Sequence, residues 1–473
     1  MTRFRLILGS AMGAALCATS VLAQDNAPED LLPPEPAKVT EKLPDYTADA
    51  PRPQPSVDDS FADIRMSSGE VVQDLPVLVR EWSVPQAKQL LAFIPTVAAE
   101  GLVPADYRAG ELAAAITGGE SAGLNELASE IFVWLVEDLR DGRTPMEARR
   151  QWFVVDPDPD LLPSHSLLEQ AVTTGDIAGT LTALNPVSPD YARLREELAK
   201  TTDPAQRKLI RANMDRWRWL ARDLGKQYLL TNVPEYQLRL TVNDKIIKNY
   251  RVVVGKPGRT ATPQLAETVE AVIFNPTWTV PQSIVKGEGL GAKVLGNPAW
   301  ARANGYKATK GANGWVSVVQ QPGPGNSLGL MKLDMPNEHA IFLHDTPAKA
   351  LFNQDDRALS HGCIRVQGAR ELAMTMSMLG NAKSREDLPK IQQEVSEITA
   401  SREYTRYPMA KQWPVYITYF TYGVDVNGNL RKFADIYDRD APVLAALDAP
   451  RQRNRARQTS EEVVEIVDDL QTS

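Results

Sequence analysis

The spacing of apolar residues changes part-way along the chain, and the change predicts two differently built regions. From about residue 61 to 205, apolar positions recur three and four apart, which is typical of amphipathic helices. The segments that show this spacing best are 75–101, 112–117, 124–142 and 191–199. A further helix is predicted over 208–224, where a stripe containing Trp217 ends at Gly225. We interpret this stripe as packing against the domain that follows.

After this helix the apolar period falls to two, which indicates β-strands. The candidate strands are 237–242, 246–254, 269–275, 340–344, 364–366, 415–426 and 430–436. The pairs Asn243-Asp244 and Asn427-Gly428 predict hairpin turns, because these residue types tolerate positive φ. A helix is predicted over 369–379.

These patterns predict an α+β protein whose helices and strands lie in separate domains. We expect an α-helical domain over 61–225, a β-rich domain over 226–446 and a charged tail over 447–473. The strand pattern is lost between about 283 and 318, where Gly-rich polar sequence predicts an inserted lid.

The N-terminal segment has the pattern of a secretory signal peptide. Two arginines precede an apolar run, and Ala23 follows Val21 at the spacing of a signal-peptidase site. We therefore expect residues 1–23 to direct export, and the proline-rich, acidic residues 24–60 to form a flexible linker. Export predicts a periplasmic protein. A retained membrane anchor is less favoured, because Gly, Ala, Ser and Thr dilute the apolar run.

The charge balance argues against nucleic-acid binding, and the cysteine content singles out one residue. The 473 residues include 52 Lys and Arg against 60 Asp and Glu, so the net charge is −8. Because basic residues are not in excess, the chain lacks the positive charge that binds phosphates, and nucleic-acid binding is not expected. One cysteine, Cys363, remains after removal of residues 1–23, and it cannot form an internal disulfide in an exported chain.

Cys363 lies in an unusual cluster of reactive side chains. Three of the four histidines, His339, His344 and His361, lie close to it in the sequence. A catalytic thiol needs a base and donors for an oxyanion. His344 ends a predicted strand, and Gly362 permits a sharp turn that brings main-chain amides near the sulfur. The cluster favours a cysteine nucleophile over a buried, inert cysteine.

Zinc binding is the alternative interpretation of these residues. His339 and His344 are five positions apart, an odd number, so on one strand their side chains would point to opposite faces. Such a pair cannot share a metal ion. We therefore predict no metal or other cofactor, and interpret His339 as a solvent-facing residue at the start of a strand.

The stretch IFLHDTPAKALFNQDDRALSHGCIRV resembles the signature of L,D-transpeptidases of the YkuD catalytic type: a histidine, about fifteen residues, then Ser/Thr-His-Gly-Cys. Segments similar to the long, scaffold-bearing subgroup of that family are 142–145, 211–220, 274–284 and 320–337. The resemblance implies a helical scaffold followed by a β-rich catalytic domain. It also implies that a thiolate cleaves a peptidoglycan tetrapeptide stem after its third residue and releases D-Ala. The acyl group then passes to a diaminopimelate amine, which gives a 3-3 crosslink.

The resemblance also assigns roles to individual residues. The catalytic positions are Cys363 as nucleophile, His344 as base, the main-chain carbonyl of Asp345 as third member, and His361 with Gly362 in the oxyanion segment. Arg365 matches a position that binds a substrate carboxylate or orders the site. The substrate-binding positions are Trp278, Asn326, Phe342 and Ser360.

The chain departs from the subgroup in one respect. A peptidoglycan-binding repeat usually precedes the Trp-rich helix, yet here residues 198–200 run almost directly into it. Stem peptides of peptidoglycan are the expected partners, and envelope proteins are further candidates. The oligomeric state stays open.

Three other functions remain as alternatives. Water as the acceptor would make the protein an L,D-carboxypeptidase, and a protein amine would make it an enzyme that attaches an envelope protein to peptidoglycan. A non-catalytic wall-binding protein is less favoured, because His344, Gly362, Cys363 and Arg365 are intact. A papain-like endopeptidase would place its cysteine before its histidine, which is the reverse of the order here.

Overall fold

A computed structural model of the protein describes residues 79–154, 162–312 and 314–451. The predicted signal peptide, the predicted linker and the first part of the predicted helical domain lie outside these residues, as do residues 452–473 of the predicted tail. No helix within the described ranges is long and apolar enough to cross a membrane.

The first described region is helical, as the apolar spacing predicts. Its α-helices are α1 (Val84–Phe93), α2 (Ala109–Thr117), α3 (Ala122–Arg140), α4 (Ser164–Thr174), α5 (Ile177–Thr182), α6 (Pro189–Lys200) and α7 (Pro204–Trp217). α1 is shorter than the predicted 75–101, because Pro95 interrupts the α-helical hydrogen bonds and the chain continues as a 3-10 helix over Ile94–Glu100. α1 to α5 enclose one apolar core, in which the buried Trp82 donates its indole N–H to the Ser129 hydroxyl at 3.0 Å, whereas α6 and α7 pack in a second cluster with residues of the following domain.

The Trp-rich helix α7 joins the helical region to the strands. Trp217 stacks on Phe420 with ring centroids 4.7 Å apart, which confirms that the stripe packs against the next domain. The prediction that the helix continues to residue 224 is wrong. It ends at Trp217 because the chain turns and brings the Trp219 indole N–H back to the Asp215 carboxylate, at 3.1 Å. Gly142 fits beneath this indole with φ 86°, where a Cβ atom would lie 2.8 Å from the ring.

The second region is built on strands. They are β1 (Gln227–Asn232), β2 (Gln237–Val242), β3 (Lys245–Gly255), β4 (Leu265–Phe274), β5 (Trp278–Thr279), β6 (Tyr306–Lys310), β7 (Val316–Gln320), β8 (Met331–Asp334), β9 (Leu343–His344), β10 (Ala358–Ser360), β11 (Ile364–Val366), β12 (Thr405–Thr418), β13 (Tyr422–Val424) and β14 (Leu430–Lys432). Its helices are α8 (Leu290–Gly296), α9 (Pro298–Ala303), α10 (Ala369–Asn381), α11 (Leu388–Ser401) and α12 (Asp440–Asp448). The α+β class is confirmed.

The main sheet has the strand order β10-β3-β11-β9-β8-β4-β12-β1-β2, and β2 also pairs with β3. The ladder therefore closes on itself, with one face of every strand turned to a shared apolar core. β9 and β11 lie side by side in this ladder, although 19 residues separate His344 from Cys363 in the sequence. This closure positions the candidate site.

Both predicted hairpins form. β2 pairs antiparallel with β3 around Asn243 and Asp244, whose φ values of 49° and 58° fit a tight turn. β13 pairs antiparallel with β14 across Asn427-Gly428. The helix predicted over 369–379 is α10.

Three predicted strands are wrong in extent, and the one predicted over 430–436 ends at Lys432. The strand predicted over 340–344 is reduced to β9, because Ala340 takes a left-handed conformation with φ 50° that ends the extended chain. The strand predicted over 415–426 divides into β12 and β13. Between them, the amide and carbonyl of Phe420 bond to the side chain of Asn232 instead of to a neighbouring strand.

The predicted lid is folded and has a small core of its own. β5, β6 and β7 form a three-stranded sheet, which packs with α8, α9 and a π-helical turn over Ser283–Gly287. Its buried apolar residues are Val280, Val285, Val294, Ala301 and Val318. The expectation that strand structure is lost here is wrong, because the apolar residues are spread over short elements of different types and show no common period.

Part of the chain beyond the predicted boundary at residue 446 packs against the helical region. α12 continues to Asp448 and packs against α7. The Arg451 guanidinium is buried and pairs with Glu137 at 2.6 Å and with Asp138 at 3.0 Å. Both acidic residues belong to α3, so the start of the predicted charged tail is held by the helical region.

Candidate active site

Two neighbouring strands bring Cys363 and His344 together. β9 and β11 pair in parallel, with Leu343 opposite Ile364 and His344 opposite Arg365. Leu343 and Ile364 are fully buried in the core. Because side chains alternate along a strand, His344 and Arg365 lie on the other face, and Cys363 shares it. We call this surface the catalytic face.

The thiol of Cys363 is hydrogen-bonded within the protein. Its sulfur donates a hydrogen bond to the carbonyl of Ala340 at 3.5 Å, and the residue is half-buried. Burial raises the pKa of the thiol to about 11, although a main-chain hydrogen bond from Phe342 and the charges of Lys332 and Arg365 act in the opposite direction. The thiol is therefore protonated at neutral pH and needs a base to become a nucleophile.

His344 has the properties of that base. Only 4% of it is exposed. Burial, followed by the positive charge of Arg365, lowers the pKa of the imidazole to about 3, so the ring is neutral and can accept a proton. Its Nδ1 atom has no hydrogen-bond partner among the described side chains and main chain, although the Asp345 main chain lies close enough to favour the protonated ring.

The side chain of Asp345 is engaged elsewhere. Its carboxylate accepts the amide of Leu330 at 3.0 Å and pairs with Lys349. The carboxylate is thus fixed by groups away from the imidazole, and it is the main chain of Asp345 that neighbours His344. The use of the Asp345 carbonyl as third member stays a prediction.

The turn before Cys363 is closed by side-chain hydrogen bonds. Ser360 donates its hydroxyl to the Cys363 carbonyl at 2.6 Å and accepts the Gly362 amide at 3.1 Å. Gly362 has φ 118°, a conformation that favours glycine. Since Ser360 uses the Gly362 amide, the His361 and Cys363 amides, which donate to no described residue, are the ones available to an oxyanion.

Two of the residues predicted to bind substrate bind the protein instead. Ser360 is 2% exposed and its hydroxyl is used within the turn. Asn326 is 1% exposed, and its side chain donates to the carbonyls of Pro276, Gln320 and Gln321. Both predictions are corrected here, because buried groups with these partners cannot face a ligand. The side chains of Ser360 and Asn326 instead hold loops beside the site.

The two predicted aromatic residues have different environments. Phe342 is half-buried on the catalytic face, its ring 5.6 Å from that of His344 and 4.5 Å from the ammonium of Lys332. Trp278 is half-buried and packs against the core of the lid. Phe342 is therefore the aromatic residue that directly adjoins the catalytic pair.

The other two histidines of the cluster point elsewhere. His361 has an exposed side chain that lies 3.5 Å from Glu288, on the lid. His339 is half-buried in a turn and stacks on Phe153 with ring centroids 4.1 Å apart. The prediction of a solvent-facing His339 at a strand start is wrong, because the strand begins later and Phe153, which lies between α3 and α4, covers the ring.

Sequence reasoning missed the residues that support the catalytic turn. The Thr262 hydroxyl donates to the Gly362 carbonyl at 2.7 Å and accepts the amide of Gly255 at 2.8 Å. Tyr437 accepts the Thr262 amide at 3.2 Å and donates to the Gly255 carbonyl at 2.6 Å. These contacts join three distant parts of the chain, and no local sequence signal marks them.

Comparison with family models supports this geometry. Residues 226–381 match the model described as the L,D-transpeptidase catalytic domain of YkuD type, and residues 79–198 match a scaffold domain. The chain therefore contains a YkuD-type L,D-transpeptidase catalytic domain. Its catalytic face, with Cys363 and His344, lies within the first of these matches.

One curated relative and two solved structures are similar to part of the chain. The relative is a Haemophilus influenzae protein provisionally named an L,D-transpeptidase, which is 29% identical over 231 residues, covering 46% of this chain and 45% of the relative. The chain thus spans less than half of that relative. A cysteine-to-serine mutant of the Enterococcus faecium L,D-transpeptidase is 13% identical over 41% of this chain and 50% of its own, with a TM-score of 0.20. L,D-transpeptidase 1 of Mycobacterium tuberculosis is 8% identical over 41% of this chain and 61% of its own, with a TM-score of 0.18.

Proposed function

We propose that this L,D-transpeptidase domain acts through Cys363 on the tetrapeptide stems of peptidoglycan. The observation that carries the proposal is that Cys363, directly before β11, and the neutral, buried imidazole of His344 in β9 lie on the same face of two paired strands. A neutral histidine next to a protonated thiol is a base paired with a nucleophile.

Acylation would proceed in two proton transfers. His344 takes the thiol proton as the Cys363 sulfur attacks the carbonyl of the third stem residue. The tetrahedral oxyanion accepts hydrogen bonds from the His361 and Cys363 amides. When the intermediate collapses, His344 gives the proton to the leaving D-Ala amine, and a thioester remains on Cys363.

Deacylation completes the transfer. The side-chain amine of a diaminopimelate residue on a second stem attacks the thioester and loses a proton to His344. The C–S bond breaks, the amide bond of a 3-3 crosslink forms, and the proton returns to the sulfur. The Asp345 carbonyl would hold the imidazole in orientation throughout.

Two further proposals concern the setting of this reaction. The N-terminal segment would export the protein to the periplasm, where peptidoglycan stems are found. Affinity for the wall would then come from the catalytic domain, the lid, the helical scaffold or an envelope protein partner.

The deciding experiment follows both the protein adduct and the product. Purified protein is incubated with a tetrapeptide donor, with and without a diaminopimelate-containing acceptor stem. We expect D-Ala release, an acyl adduct on Cys363 in the intact mass, and a 3-3 dimer when the acceptor is present. A carbapenem should give a stable adduct at the same residue. A folded protein that yields neither an adduct nor D-Ala would refute the proposal.

Replacing Arg365 with lysine should lower acylation although the charge is kept. Arg365 lies opposite His344 on the catalytic face, and its Nε has no partner among the described residues. A guanidinium offers a planar fork to a carboxylate, whereas an ammonium is a point charge, so we expect a loss of about tenfold or more. Kinetics of carbapenem acylation and of stem turnover measure it. A lysine variant equal to wild type in both would leave Arg365 a structural residue.

Replacing Thr262 with valine should loosen the catalytic turn. The change preserves shape but removes the hydroxyl between Gly255 and Gly362, leaving a buried amide and a buried carbonyl each without that partner. We expect kcat for D-Ala release to fall about tenfold and stability to fall by about 1–3 kcal/mol. Thr262→Ser keeps the hydroxyl and is the matched control. An unchanged kcat in the valine variant would show that the turn does not depend on this contact.

A further inference from the structure

The lid differs in charge from the rest of the chain. From β5 to β7, residues 278–320 contain five basic residues and one acidic residue, so the segment has a net charge of +4 in a chain whose net charge is −8. The basic residues are Lys286, Lys293, Arg302, Lys307 and Lys310, and each is exposed. None of them forms a salt bridge with a residue that the structure describes. The lid therefore presents uncompensated positive charge to solvent.

Three of these lysines border one side of the lid sheet. Lys310 of β6 lies directly opposite Val316 of β7, and Val316 packs against the lid core. Residues opposite one another on neighbouring strands project from the same face, so Lys310 points to the side on which α8 and α9 pack. Lys293 belongs to α8, and Lys286 belongs to the π-helical turn that packs on α8. We call Lys286, Lys293 and Lys310 the lysine surface.

Aromatic rings hold two of these ammonium groups in place. The Lys286 Nζ lies 4.4 Å from the centroid of the Trp315 ring, and the Lys293 Nζ lies 3.9 Å from that of Trp300. Trp300 in turn stacks on Tyr306, with ring centroids 5.6 Å apart. A ring attracts a cation but does not neutralise it, and an ammonium has three N–H donors. The two charges are thus positioned in advance, which lowers the entropy lost when an anion binds.

The lid is fixed beside the catalytic turn. The Asn326 side chain donates to the carbonyl of Pro276, just before β5, and to that of Gln320, at the end of β7, so both ends of the lid are tied together. A contact of 3.5 Å joins Glu288, the acidic residue of the lid, to His361 of the catalytic turn. The lid, and the lysine surface with it, is therefore held next to the turn that carries the nucleophile.

We propose that the lysine surface binds acidic stem peptides of a peptidoglycan strand, beside the stem that reacts at Cys363. This inference rests on the proposed function. A tetrapeptide stem carries carboxylates on its glutamate, diaminopimelate and D-Ala residues and a single free amine, so a strand with several stems is a polyanion. Charge complementarity therefore favours the lid over the acidic remainder of the chain as the surface that meets the strand.

The helical region gives a reason for such a surface. The peptidoglycan-binding repeat of the long subgroup is expected before the Trp-rich helix, yet α6 ends at Lys200 and α7 begins at Pro204. The residues between them, 201–203, are too few for a domain. A strand held at the lid would keep its next stem near Cys363, which raises the effective concentration of the substrate.

The test measures binding to purified peptidoglycan sacculi by cosedimentation. The full chain carries Cys363→Ala, so that no stem is consumed. We expect the triple variant Lys286→Gln, Lys293→Gln, Lys310→Gln to bind about tenfold more weakly than this parent protein, because three cations are lost from one surface. Amidation of the sacculus carboxylates should weaken binding of the parent protein by a similar factor or more, and should remove the difference between the two proteins. Raising the salt concentration from about 0.05 to 0.5 M should reduce that difference.

Matched variants separate this surface from a general effect of charge. Lys88→Gln, Lys200→Gln and Lys245→Gln together remove the same charge from exposed positions on α1, α6 and β3, outside the lid, and should leave binding within about twofold. Replacing the three lid lysines with arginine keeps the charge and should keep binding. The single variant Lys310→Gln, with an expected loss of about twofold to threefold, replaces the triple variant if that protein fails to fold.

Three outcomes would overturn the proposal. The first is unchanged binding of the folded triple variant to sacculi, and the second is an equal loss in the control variant. The third is a triple variant whose sacculus binding is unchanged but whose turnover rises, as it does when residues 459–473 are removed. That result would assign the lysine surface to this segment of the chain, which has five acidic residues and no basic ones.

The proposed function fails in a different way. Sacculus binding that depends on the lid lysines, in a wild-type protein that releases no D-Ala, would count against the proposed function alone.

Discussion

Replacing Cys363 with alanine is expected to abolish release of D-Ala from tetrapeptide stems, lowering the rate by about 10⁴-fold or more. The sulfur is the atom that forms the thioester, and the catalytic face offers no second thiol or hydroxyl among its described residues: its neighbours are Lys332, Phe342, His344 and Arg365. Nucleophile and base act as a unit, so the loss should equal that of the whole pair.

The same variant should remain folded. The Cys363 side chain is half-buried against the core, and its hydrogen bond to the Ala340 carbonyl is long. We expect a loss of about 1 kcal/mol in the free energy of unfolding. D-Ala release, intact mass after incubation with a donor, and thermal unfolding are measured together. Cys363→Ser keeps the size of the side chain and should be equally inactive. Wild-type release by the folded alanine variant would place the nucleophile elsewhere.

The two residues of the proposed catalytic pair could be singled out from the sequence because their signals are local. A histidine at the end of an apolar strand and a Ser-His-Gly-Cys turn are both visible in short stretches of sequence. Strand alternation also predicted the face of Arg365: Ile364 enters the core, so its neighbours leave it. Short-range geometry is enough for such inferences.

The supporting residues could not be predicted, because their partners are set by the register of distant strands. Lys332 stands in a four-residue strand, and nothing in its own pattern indicates that β9 will lie beside β8. Thr262 reaches Gly362 across 100 residues. Loop closure over such distances depends on the whole sheet, and a local pattern contains no information about it.

The substrate-binding roles predicted for two polar residues near the motif are wrong. Asn326 and Ser360 carry groups that can bind either a substrate or the main chain. The choice is made by which carbonyls and amides the fold brings near them, and here these belong to the protein. The strands and helices of the predicted lid were missed for a related reason, since its small core is assembled from several short elements.

Replacing His344 with glutamine should lower D-Ala release by about 10³-fold, because the glutamine side chain keeps hydrogen-bonding groups but cannot accept the thiol proton at neutral pH. His165→Gln, in the helical region, is the matched control. His361→Gln tests the other histidine of the motif, whose side chain faces Glu288. A glutamine variant at 344 that keeps more than a tenth of the wild-type rate, together with a large loss in the His361 variant, would move the base to His361.

The pH dependence of wild-type turnover gives a second check on His344. Its lowered pKa of about 3 means that the neutral, proton-accepting ring persists at every higher pH, and is lost only as the pH falls through that value. The raised pKa of Cys363, about 11, means that the protonated thiol persists below it. The reactive combination of thiol and neutral imidazole therefore dominates between these limits, and kcat/KM for D-Ala release should be flat from about pH 5 to 9. A step centred near pH 6.5, the usual value for histidine, would show instead that the base is a solvent-exposed imidazole and would exclude the buried ring of His344.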